Sequence, residues 1–360
     1  MTKTAPRRVA VLSAGAWGTA LGLVCADAGH RVVLHARRPE VVRALAEDRT
    51  NPRALPGIRL PEGVTACADP AEALRDAEFL ILSVSAQHLR ENLVRWAPLL
   101  GPGTVVVSAM KGVETGSGLR MSQVIAETTG LGEDRIAVLS GPNLAREVAA
   151  RRPTTCVVAC ADEAVARECA ALVRTPAFRP YTATDVVGCE VGGAVKNVVA
   201  LAVGPASALA PGDGARAALI TRGLAETTRL GVALGARPET FAGLAGAGDL
   251  LATCASPLSR NRAFGERLGR GMTPGEAVAA GGGVAEGVAT TRAVLALARA
   301  RGVELPIAEA VGAVLAGRLT PRAALDSLTR RAPGPEHVPE VSGPTPTPTG
   351  PSHASRPSGH

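Results

Sequence analysis

Six short runs of aliphatic, largely β-branched residues in the first half of the chain constrain its fold more than any other feature. They are VAVL (9–12), RVVLHA (31–36), FLILSV (79–84), TVVVSA (104–109), IAVLS (136–140) and TTCVVAC (154–160). Helical patterns such as Thr19–Ala28 and Glu40–Glu47 separate several of them. Continuous apolar strands joined by helices imply a mostly parallel sheet covered on both faces. Residues 1–188 therefore read as an α/β N-terminal domain, doubly wound and Rossmann-type. After about Cys189 the β-rich runs stop. Residues 189–331 are rich in Ala, Leu, Gly and Arg at helical spacing, with stop signals at Gly235, Gly269 and Gly302. They read as an all-α C-terminal domain. From Ala332 to His360 Pro, Gly, Ser and Thr dominate, and such a segment buries too little apolar surface to order itself. A disordered tail is expected there.

Composition narrows the function classes. With 46% apolar residues in 360, a packed core is affordable in chain length. No uninterrupted apolar run reaches the roughly 18 residues of a membrane span. The start, MTKTAPRRVAVL, enters a strand without an apolar leader, so neither a signal peptide nor membrane insertion is expected. The net charge of +7 invites a nucleic-acid reading. Scattered arginines and an aromatic content of 2% argue against it, because base stacking needs aromatic platforms. Seven cysteines without a C-x-x-C pair point to reduced, buried thiols and a cytoplasmic location, and no metal site is expected. Lysine is scarce: of 39 Lys and Arg residues only Lys3, Lys111 and Lys196 are lysine. An internal lysine kept in such an arginine-rich chain hints at a task that needs a removable proton.

Residues 9–22, VAVLSAGAWGTALG, read as strand, tight turn and helix. The dinucleotide fingerprint G-x-G-x-x-G would place glycines at 13, 15 and 18. Gly15 lets the backbone approach a pyrophosphate, and Gly18 lets the helix pack closely on the strand. Ser13 departs from the pattern at the glycine that serves the turn. The second strand ends in His35-Ala36-Arg37-Arg38 rather than in the acidic residue that favours NAD. Arg37 and Arg38 suit a 2′-phosphate, so NADPH is favoured over NADH.

Reduction of a carbonyl also needs a proton donor. The 189–331 segment contains no histidine. Lys196 is the better candidate, since Lys196-Asn197 is a lone polar pair in the apolar helix VVGCEVGGAVKNVVALAVG. Burial there lowers an ammonium pKa toward neutrality. Asn197 is placed to orient a substrate hydroxyl or a cofactor amide. Lys111 follows the strand TVVVSAM at the sheet's carboxyl edge, where open α/β folds bind ligands. Asp249, in AGAGDL, reads on propensity as a helix N-cap. Ser259, Arg260 and Asn261 open another helix and make a plausible phosphate clamp.

The longer motifs bring a resemblance. AGAWGTAL (14–21), LPGIRLP (55–61), VVVSAMKGVE (105–114), LSGPNLAREVA (139–149), GGAVKNVVA (192–200), ARAALITRGLAE (215–226), LAGAGDL (244–250), SPLSRNR (256–262) and VAEGV (284–288) are in the order found in one family. Over about residues 8–331 the chain resembles bacterial NAD(P)-dependent sn-glycerol 3-phosphate dehydrogenases. The resemblance implies interconversion of glycerol 3-phosphate and dihydroxyacetone phosphate, a small phosphorylated three-carbon substrate, and supply of glycerol 3-phosphate for phospholipid synthesis. It implies that Lys196 accepts the substrate's proton and that Lys111 contacts substrate and cofactor. Gly141, Asn143, Asp249, Ser259, Arg260 and Asn261 would surround the substrate. Ala16, Trp17, Arg37, Arg38, Ala145, Arg260, Val284 and Glu286 would line the dinucleotide. The departures are Ser13, Ala54 where the family has an aromatic, and Val84-Ser85-Ala86-Gln87 where it has V-P-S-Q. Two other readings stay open: a related β-hydroxyacid or ketopantoate reductase, and a degenerate paralogue that only binds NAD(P)H. Oligomeric state is open too, a homodimer included.

Overall fold

The structure, a computed structural model, describes residues 5–209, 212–281 and 285–332. Val284 and the proline-rich tail from Pro333 lie outside the described residues. Among the described residues there are ten strands: β1 (Arg8–Leu12), β2 (Arg31–His35), β3 (Thr50–Asn51), β4 (Leu55–Arg59), β5 (Val64–Cys67), β6 (Phe79–Leu82), β7 (Val105–Ser108), β8 (Ile136–Ser140), β9 (Thr154–Ala159) and β10 (Phe178–Ala183). Eight of them form one sheet in the order β10-β9-β8-β7-β6-β1-β2-β5. Every neighbouring pair is parallel except β8 and β9, which are antiparallel. From β1 the chain winds first to β2 and β5, then back across to β6, β7 and β8. The reversal opens a crevice at the carboxyl ends of β1 and β6, the place where doubly wound sheets take ligands. The central strands carry apolar residues on both faces and are buried almost throughout, as their uninterrupted sequences require.

Four strands were not evident from the sequence, for physical reasons. β5 and β10 lie at the two edges of the sheet, where one face and one row of backbone groups can tolerate polar residues. β10 reads FRPYTA and even holds Pro180, which only an edge can accommodate. β3 and β4 form a separate two-stranded ribbon too short to show a period.

Beyond Ala183 only helices follow among the described residues. Their axis is the 24-residue helix Val186–Leu209, around which Asp213–Ala233, Asp249–Ala255, Arg260–Gly269 and Glu286–Ala300 pack. By length and mean hydropathy, 1.6, this helix could cross a membrane, yet 83% of its most apolar window is buried inside the fold. It is a core helix. Helix Arg260–Gly269 crosses it in close contact: a Cβ on Gly265 would stand 2.4 Å from Leu201 O, and one on Gly204 2.4 Å from Arg262 O. Any larger residue at the crossing would push the helices apart. Gly269 is the last residue of helix Arg260–Gly269, as expected, but it faces Pro205 in this packing and does not supply the left-handed stop. That role falls to Gly271, whose φ of +93° is the left-handed conformation a helix stop uses. Gly235 and Gly302, at +93° and +63°, do follow helix ends. Sheet and helices pack as one unit through Arg330.

Candidate active site

A buried cluster of charge centres on Asp249, which is 1% exposed. Its Oδ1 accepts a hydrogen bond from Lys196 Nζ at 2.5 Å, and its Oδ2 one from Lys111 Nζ at 2.6 Å. One carboxylate thus holds two lysines that are 85 residues apart in sequence. Lys196 comes from the long core helix and Lys111 from the loop after β7. Lys111 also donates to Gly141 O at 2.9 Å, at the end of β8. The expectation that Asp249 caps a helix is corrected here. It is the first residue of helix Asp249–Ala255, its neighbour Gly248 is the N-cap, and no side-chain cap bond forms. A π-helical turn, Leu244–Gly248, leads into the helix and delivers the Asp249 carboxylate to the lysines. Thr253, one turn further on, accepts from Lys196 Nζ at 2.7 Å. Sequence reasoning missed Thr253; its signal was the i, i+4 spacing to Asp249, which sets both on one helix face.

Burial pushes the Lys196 ammonium down to about 8, with Asp249 opposing the shift and Lys111 adding to it. An amine that titrates there is matched to proton transfer near neutral pH. The histidines of the sheet offer no rival. His35 is buried edge-on against Trp96, and burial lowers its pKa; His88 is exposed beside Glu91.

Polar side chains around the cluster brace it. Asn197 donates to Lys111 O at 3.3 Å and accepts from Asn261 Nδ2 at 2.9 Å, while Asn261 Oδ1 accepts from Gly287 N at 3.0 Å. The two amides therefore tie three helices to the Lys111 loop, rather than presenting both ends to a ligand. Ser259 caps its helix by accepting from Arg262 N at 3.2 Å. Of the expected phosphate clamp, Arg260 alone is exposed with no ion pair to a described residue. Asn143 donates to Thr155 O at 2.8 Å, and its buried Oδ1 has no partner among the described residues.

The glycine turn lies at the β1–β6 crevice. Gly15 is the N-cap of helix Ala16–Asp27 with no side-chain cap bond, so the first amides of that helix are free. Outside its chain neighbours, a Cβ on Gly15 would meet one atom, Ser13 Oγ at 3.7 Å, whereas on Gly18 it would come within 2.0 Å of Ser13 O. Gly15 leaves room for a ligand and Gly18 permits close packing. Trp17 Nε1 donates to Ala109 O at 3.1 Å, which links the turn to the segment leading to Lys111. Ala16 and Ala145 pack partly buried on the same core, and Glu286 approaches Gly112, next to Lys111. Arg37 and Arg38 are exposed at the end of β2 without ion pairs to described residues.

Comparison with known proteins decides the family. The model of the NAD-dependent glycerol-3-phosphate dehydrogenase N-terminus matches residues 8–166, and that of the C-terminus matches residues 185–326. The chain belongs to this family. A glycerol-3-phosphate dehydrogenase (NAD(P)+) of Streptomyces avermitilis is 57% identical over 331 residues, covering 92% of this chain and 98% of the relative. One from Thermobifida fusca is 58% identical over 330 residues, covering 91% and 98%. Among solved structures, the glycerol-3-phosphate dehydrogenase of Coxiella burnetii superimposes with a TM-score of 0.86 at 37% identity, covering 91% of this chain and 99% of its own. The two matched spans between them include Gly15 and Lys111, and Lys196 and Asp249.

Proposed function

We propose that the chain is an NAD(P)-dependent oxidoreductase that interconverts glycerol 3-phosphate and dihydroxyacetone phosphate. The observation that carries this reading is the carboxylate shared between Lys196 and Lys111. The residues fit a dinucleotide: an open Gly15, free amides at a helix N-terminus and a crevice at the sheet's reversal point. When bound, a reduced nicotinamide supplies a hydride to the carbonyl carbon. Lys196 donates a proton to the carbonyl oxygen, and in the reverse direction its neutral amine takes that proton from the hydroxyl. Asp249 aims the amine, Lys111 stabilises negative charge on the oxygen, and Arg260 receives the phosphate. Residues 1–188 would hold the dinucleotide and residues 189–331 most of the three-carbon substrate. The same reading supports a cytoplasmic enzyme that supplies glycerol 3-phosphate for phospholipid synthesis. It disfavours a ketopantoate reductase, because the family match spans both halves of the chain.

The titration of Lys196 sets opposite pH profiles for the two directions. Reduction requires the ammonium, so kcat/KM for dihydroxyacetone phosphate is level below about 8 and falls above it. Oxidation requires the free amine, so its kcat/KM rises to about 8 and then levels off. Each limb changes about tenfold per pH unit. Profiles of the same sign in both directions would contradict the assignment of the base.

Arg37 and Arg38 support a preference for NADPH. Replacing both with alanine should raise the Kd for NADPH about tenfold or more and change that for NADH little, since charge-assisted bonds to a phosphate are worth about 1.5–3 kcal/mol. Calorimetric titration with each dinucleotide tests this; equal losses for the two would refute 2′-phosphate recognition.

A further inference from the structure

We infer that the Ser13 hydroxyl is a phosphate-binding group, donating to an oxygen of the dinucleotide pyrophosphate from a position where the fingerprint has glycine. The inference rests on the NAD(P) reading above and adds a contact that the glycine pattern lacks. Ser13 has φ +99°, the left-handed region where a side chain is strained and glycine is not. Strain of this kind persists where its surroundings impose it, and it gathers at binding sites.

The surroundings impose it here from three sides. Ser13 O accepts from Ser83 Oγ at 3.1 Å, across the β1–β6 crevice. Ala14 O accepts from Asn51 Nδ2 at 2.9 Å, and Asn51 also donates to Thr19 Oγ1 at 2.9 Å. Ala14 N donates to His35 O at 3.0 Å, at the end of β2. Ser13 O, Ala14 N and Ala14 O are therefore all held, which pins the backbone of the turn. Ser13 Oγ itself has no partner among the described residues and is not buried. It stands 3.7 Å from where a Gly15 Cβ would be, so it borders the open face of Gly15. The free amides of helix Ala16–Asp27 converge on that space, which fits a doubly charged phosphate linkage and not an apolar group. A hydroxyl there adds a donor to those amides. The chain tolerates a strained serine because the hydroxyl has a use that hydrogen would not serve.

The test compares the full-length chain with Ser13→Ala and Ser13→Gly, measuring Kd for NADPH and NADH by calorimetry and Tm without dinucleotide. Alanine keeps the strain and removes the donor. Its Kd should rise about tenfold for both dinucleotides, the loss expected of one bond to a charged group, with Tm unchanged. Glycine removes strain and donor together. Its Kd should rise by a similar factor while Tm increases by a few degrees, because glycine adopts positive φ freely. A Kd for Ser13→Ala within about twofold of the parent overturns the inference. Should that variant not fold, an unchanged Kd in Ser13→Gly overturns it instead. A parent protein that binds neither dinucleotide sinks the NAD(P) reading itself, whereas a parent that binds beside unaffected variants sinks only the role of the hydroxyl.

Discussion

Lys196→Met is expected to reduce kcat for dihydroxyacetone phosphate reduction by about 10²–10⁴-fold, the usual contribution of a general acid. Methionine matches lysine in length and suits a buried slot, so the loss would not come from packing. Charge balance also survives, because Lys111 remains paired with Asp249 at 2.6 Å after the second ammonium is gone. Folding and NADPH affinity should therefore stay close to those of the parent. Steady-state assay together with calorimetric titration separates the two quantities. A variant that kept more than about a tenth of the parental kcat would remove Lys196 from the reaction.

Asp249→Asn should do nearly as much harm by a different route. The amide keeps the shape and removes the only carboxylate among the described residues that is bonded to either ammonium. Two like charges then share a buried site, and the cheaper response is for Lys196 to lose its proton. Its pKa falls below the value of about 8 that it has beside Asp249. Reduction at neutral pH should drop about 10²-fold, and the falling limb of the pH profile should move to lower pH. Stability should suffer most in acid. Below the lowered pKa both ammonium groups must be carried without a counter-charge, a loss of up to about 3–5 kcal/mol for a broken buried pair. Above it Lys196 is neutral and the deficit shrinks. Thermal melts of the variant at several pH values follow this, and a deficit independent of pH would contradict it.

How much of this was legible in the sequence depended on how local each signal was. The buried strands β1, β6, β7 and β8 announce themselves because burial on both faces demands unbroken apolar runs. β5 and β10 did not, since an edge relaxes that demand. Lys196 stood out because aliphatic residues flank it on both sides, which disfavours the bland reading of a lysine snorkelling from a helix end. The partner that gives it meaning lies 53 residues away, and Asp249 by itself resembles a common helix cap. Asn51 and Ser83 were invisible for the same reason: each acts across a distance in the chain that no spacing rule covers. Asn197 and Asn261 were noticed as polar residues near a substrate, but only the three-dimensional arrangement shows that their amides are spent on each other.

The bonds of Asp249 reach from the helical half of the molecule to a loop of the sheet. Chemistry and mechanical integrity are therefore fastened by the same three side chains. A transient parting of helix Asp249–Ala255 from the β7 loop, far short of global unfolding, would silence the enzyme at once. Heat inactivation in such a protein reports the first seam to open and runs ahead of any loss of helical signal.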